Sequence, residues 1–112
     1  MDGAGNDYRG WAVLRAEDIM RRMQNSMARI RQYGVKRIGL FGSFDRKDEG
    51  PESDIDILVE FEPGEKTFDN YMDLKFFLEG LFEREVDLVI AEAVKAELRE
   101  HILGSVRYAS GL

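Results

Sequence analysis

The stretch that most restricts the fold is residues 54–61, DIDILVEF. Side chains alternate across a strand, so Ile55, Ile57, Val59 and Phe61 share one face while Asp54, Asp56, Leu58 and Glu60 share the other. The first set must be buried against another layer of structure. The second set presents two carboxylates side by side at the start of the strand, about 6.6 Å apart between Cα atoms. Like charges held that way raise each other's pKa unless something positive intervenes. A hard divalent cation such as Mg²⁺, which takes oxygen ligands and shares them with substrate phosphates, relieves the repulsion.

The rest of the chain supplies the covering layer. A helix is predicted from Ala16 to Tyr33, with Ile19, Met23, Met27 and Ile30 on one face, Glu17 and Asp18 in the first turn and Gly34 as its stop. Val35 to Phe41, VKRIGLF, reads as a strand, and Gly42-Ser43 ends it. Phe44 to Ser53 is polar loop containing Gly50-Pro51. A second helix, Phe68 to Phe82, carries Phe68, Tyr71, Leu74, Leu78 and Leu81 on one stripe, leaving Phe76 and Phe77 outside it as a hint of a protein interface. Val86 to Ile90 is a third strand, and Val94 to Leu103 a last helix with Val94, Leu98 and Ile102 spaced by four. The order α-β-β-α-β-α predicts an α/β (α+β) fold: a small mixed sheet with helices packed mainly on one face. Residues 1–15, with Gly3, Gly5 and Gly10, read as a flexible N-terminal extension, and residues 16–112 as one domain.

Two further features complete a candidate site. Asp87 interrupts the apolar strand VDLVI, where burying a carboxylate is costly and calls for a partner; if that strand neighbours residues 54–61, three acids converge. Gly42-Ser43 follows a strand at a point where a helical turn can open, a place where backbone N–H groups cradle an anion. Arg46 and Lys47 follow closely enough to neutralise a polyphosphate.

Gly42-Ser43, ten intervening residues, then Asp54-Ile55-Asp56 matches the G-S-x10-D-x-D signature of the DNA polymerase β-like nucleotidyltransferases. The longer stretch GLFGSFDRKDEGPESDIDILVEF, with VDLVIAEAVKAELREHIL downstream, resembles the minimal nucleotidyltransferases, or MNT proteins, over Met20 to Ala109. That resemblance implies a nucleotidyltransferase fold and transfer of a nucleoside monophosphate from a triphosphate with loss of pyrophosphate. Asp54, Asp56 and Asp87 would be catalytic and would ligate Mg²⁺, two ions in the family pattern. Gly42, Ser43 and Arg46 would hold the nucleotide, with ATP the expected substrate. The family also implies a HEPN-domain partner, in a toxin–antitoxin pair whose MNT member adenylylates a tyrosine of the toxin. Asp45 and Lys47 depart from the family's GSxARG pattern, which leaves open an antitoxin that acts by protein contact alone. Transfer to a nucleic-acid end or a small molecule is a third reading.

Composition narrows the field. Without cysteine there are no disulfides or thiolate metal sites, and a single histidine, His101, rules out a histidine-rich zinc site and leaves a Ser-His-Asp triad almost nothing to build from. A charge of −6 argues against a general nucleic-acid coat. The acid-rich stretch 45–56 lacks the glycine and terminal glutamate of an EF-hand loop at the required spacing. No run approaches the 18 or so apolar residues of a membrane span, and residues 1–10 carry no signal-peptide core. The expectation is a cytoplasmic protein; the sequence leaves its oligomeric state open, with a homodimer and a hetero-oligomer both compatible.

Overall fold

The computed structural model describes residues 15–41 and 55–109. Helix α1 spans Ala16–Asn25 and α2 Met27–Arg31; strands β1, Val35–Phe41, and β2, Ile55–Phe61, follow. Helix α3 spans Phe68–Phe82 and β3 Val86–Ile90; a 3-10 turn at Ala91–Ala93 leads to α4, Ala96–Ser105, and to a short β4, Arg107–Tyr108. The sheet order is β3-β2-β1-β4, with β2/β3 parallel and the two other pairings antiparallel. Among the described residues no helix is long and apolar enough to cross a membrane.

The apolar pattern of residues 54–61 governs the packing. Ile55, Ile57, Val59 and Phe61 are all buried, together with Ile38 and Leu40 of β1 and Val86 and Leu88 of β3. Ile19, Met23, Met27, Ile30, Leu74 and Leu78 of the helices belong to the same core. A β-bulge between Val35 and Arg37 keeps Val35 opposite Phe61 on the core side while Arg37 stands opposite Glu60. The Arg37 Nε then donates to the Glu60 Oε1 at 3.0 Å on the other face.

Several expectations are corrected. The first helix is not continuous to Tyr33: it breaks at Ser26 (φ −107°, ψ 11°), whose N–H is shared between the carbonyls of Arg22 and Met23. Asn25 and Ser26 are poor helix formers, and the buried face continues across the break. Gly34 does stop this segment, at φ +82°, where L side chains are strained. The last helix starts at Ala96 rather than Val94, and its Leu98 is 51% exposed.

On α3 the buried stripe is Leu74, Leu78 and Phe82, while Phe68 is 77% exposed. Thr67, accepting from the Asn70 N–H at 3.1 Å, places Phe68 at the first helical position, beyond the end of the core. Leu58, on the carboxylate face of β2, is buried. The second face is therefore covered at its centre, with a cleft of about 210 Å³ lined by Leu58, Glu60, Val94, Arg99 and Ile102. Strand β4 was not foreseen, since two residues carry no periodic signal; it pairs Tyr108 with Gly39 and Arg107 with Leu40.

Candidate active site

The parallel register of β2 and β3 pairs Ile55 with Val86, Asp56 with Asp87 and Ile57 with Leu88. Because the flanking apolar residues all point into the core, Asp56 and Asp87 both project from the opposite face. They are neighbours across one strand spacing, about 4.8 Å. Asp56 is half-buried and Asp87 exposed, so the expectation that Asp87 must be paid for by a buried partner does not hold. Among the described residues Asp87 has no salt-bridge partner.

Phe41, the last residue of β1, stands opposite Asp56, so one row across the sheet reads Phe41, Asp56, Asp87. Gly42 and Ser43 follow Phe41 directly in the chain, and Asp54 directly precedes Ile55. Gly42, Ser43, Arg46 and Asp54, along with Asp45, Lys47 and residues 1–14 of the extension, lie outside the described residues. Among the described residues there is no group of three or more potential metal ligands. Asp56 and Asp87 form a pair of hard oxygen donors on one face, a donor set that suits a divalent cation such as Mg²⁺.

Helix α3 fixes the strand that carries Asp87. The Lys75 Nζ donates to the Val86 carbonyl at 2.8 Å and to the Glu79 Oε2 at 2.9 Å. The same Glu79 oxygen accepts the Val86 N–H at 3.1 Å. The Tyr71 hydroxyl donates to the Leu88 carbonyl at 2.7 Å. The hydrogen bond from Lys75 and then the Val86 N–H hold the Glu79 carboxyl below its ordinary pKa, and the hydrogen bond to Glu79 raises that of Lys75. The sequence reading missed Lys75 and Glu79; their spacing of four on a helix was the available signal. The position of Tyr71 on the apolar stripe accounts for its ring but not its hydroxyl. His101 is exposed on α4, as its charged neighbours Glu97, Arg99 and Glu100 imply.

The chain matches the family model described as a nucleotidyltransferase domain over residues 20–109. It is 34% identical to the protein adenylyltransferase MntA of Thermococcus cleftensis over 98 residues, 87% of this chain and 98% of that protein. A solved structure of a candidate minimal nucleotidyltransferase superposes with a TM-score of 0.74 at 32% identity, covering 84% of this chain and 95% of the other. A chain from the complex of a tri-AMPylated Shewanella oneidensis HEPN toxin with its MNT antitoxin shares the fold, with a TM-score of 0.58 at 21% identity and coverage of 83% and 73%.

Proposed function

The chain belongs to the nucleotidyltransferase domain family and is a nucleotidyltransferase; from that premise we propose that it transfers AMP from ATP to a protein hydroxyl, a tyrosine of a HEPN-domain partner, in the cytoplasm. The observation that carries this reading is the register that sets Asp56 beside Asp87 on the face away from the core. The relative named as a protein adenylyltransferase, matched over 98% of its length, supports a protein acceptor.

In this reading Asp54, Asp56 and Asp87 would hold Mg²⁺, which would supply charge neutralisation at the triphosphate. Gly42 and Ser43 offer backbone and hydroxyl donors to the phosphates, and Arg46 a charge-assisted contact. The acceptor oxygen forms a bond to the α-phosphorus, the bond from that phosphorus to the bridging oxygen breaks, and pyrophosphate leaves with the electron pair. Asp87, exposed beside Asp56, takes the hydroxyl proton. Most of the rate gain is positioning and charge stabilisation.

The test uses ATP labelled at the α-phosphate, Mg²⁺ and a purified HEPN-domain protein from the same organism. Label should appear on that protein and disappear with Asp56→Asn. Label on RNA instead, or transfer that survives Asp56→Asn together with Asp54→Asn, would sink the reading.

A further inference from the structure

Tyr71, Lys75 and Glu79 are spaced by four and form one stripe along α3. All three spend their polar atoms on the backbone of β3. This strand is an edge: β2 lies on one side, and Glu85 already turns its carbonyl to the Ile55 N–H at 3.1 Å. In a strand, successive residues point their backbone groups to alternate sides, so Val86 and Leu88 point theirs away from the sheet. Lys75 and Glu79 take both backbone groups of Val86, and Tyr71 takes the Leu88 carbonyl. Asp87 sits between the two gripped residues.

A Lys–Glu pair four apart on a helix is ordinarily a weak surface contact. This one is only 28% exposed at each side chain and reaches another element. Satisfying an edge strand's backbone is reason enough for some of these bonds. It does not call for three side chains converging on the residues either side of one exposed aspartate.

We propose that Tyr71, Lys75 and Glu79 are positioning residues for Asp87, holding β3 so that its carboxylate stays opposite that of Asp56. This rests on the reading of the two aspartates as a metal-binding pair. Partners behind metal ligands commonly govern metal affinity by about 10- to 100-fold.

Tyr71→Phe removes one hydroxyl and keeps the ring that packs on the core; Lys75→Met removes the ammonium at nearly constant volume. ATP is titrated calorimetrically into the full chain at a series of Mg²⁺ concentrations, with thermal melts and amide hydrogen exchange in parallel. Both variants should raise the Mg²⁺ concentration for half-maximal ATP binding about 10-fold. Exchange at Val86 and Asp87 should quicken by more than the fall in melting temperature accounts for, and Lys75→Arg, which keeps a donor, should restore much of the wild-type requirement. An unchanged Mg²⁺ requirement in both variants, with wild-type binding still dependent on Mg²⁺ and on Asp87, overturns the positioning role alone. Wild-type binding indifferent to Mg²⁺ and to Asp87→Asn overturns the metal-pair reading and the inference with it.

Discussion

Asp56 and Asp87 are Cα partners across the parallel pairing of β2 and β3. A slip of one residue in that pairing would turn Asp87 into the core and Val86 and Leu88 out of it. The buried Val86 and Leu88 therefore do more than fill space: their burial fixes which face the carboxylate occupies.

Asp87→Asn should cut AMP transfer by at least ~100-fold, the scale of losing one charge-stabilising group. Because Asp87 is exposed, the same change should alter stability by no more than ~0.5 kcal/mol. Transfer assays and urea denaturation on one preparation check both. A large loss of stability would show that the carboxylate is structural.

Gly39 faces the crossing of the chain into β4. A Cβ there would come within 2.8 Å of the Arg107 carbonyl oxygen and of the Val106 Cγ2. Backbone cannot swing aside as a side chain can, so Gly39→Ala should cost about 1–3 kcal/mol. Gly80→Ala, on the exposed side of α3 with nothing within 4 Å, should gain about 0.5–1 kcal/mol. Denaturation midpoints test the pair. Exchange of the Ala109 amide, bonded to the Ile38 carbonyl at 2.9 Å, should rise only in Gly39→Ala.

The contrast between these glycines marks what the sequence could reveal. Alternation in residues 55–61 and the four-residue steps of Ile19, Met23 and Met27 are local signals, and the core they imply is the observed one. The bounds of β1, α3 and β3 were legible for the same reason. Gly39 was not, because its need for space comes from a strand about seventy residues later in the chain. The break at Ser26 was not, because propensity favours it only weakly and packing tolerates it. At the site, chemistry singled out Asp56 and Asp87, but only the register shows them side by side. Lys75 and Glu79 stayed hidden because their targets are backbone groups, which no side-chain pattern records.

The Lys75–Glu79 contact predicts a pH dependence of stability. Glu79 has a lowered pKa in the folded chain, chiefly through Lys75 and then through the Val86 N–H. Between its folded and unfolded values the unfolded chain binds more protons, so stability rises with pH. The contribution is full above the ordinary carboxylate range and is lost as pH falls through the lowered folded value. Lys75, raised by Glu79 with smaller help from Tyr71 and Glu85, contributes below the ordinary lysine value and loses that as pH rises through the raised one. The stability difference between wild type and Glu79→Gln should therefore be greatest near neutrality and shrink towards pH ~3. Denaturation across that range is the check; a difference that does not vary with pH would remove the charged contact as its cause.

The two ends of α3 give the sharpest separation of pattern from packing. Phe68 and Leu74 both fit a helical apolar stripe, yet Phe68 is 77% exposed and Leu74 fully buried. Leu74→Ala should cost about 2–5 kcal/mol, the lost transfer energy plus the cavity left behind. Phe68→Ser should stay within ~0.5 kcal/mol, since it removes a ring already in water. The Thr67 cap beside it is untouched by that change, so helix initiation is preserved. Urea denaturation of the two variants decides the matter. Comparable losses would mean that Phe68 is covered in solution and that the packing at the start of α3 differs from the one described.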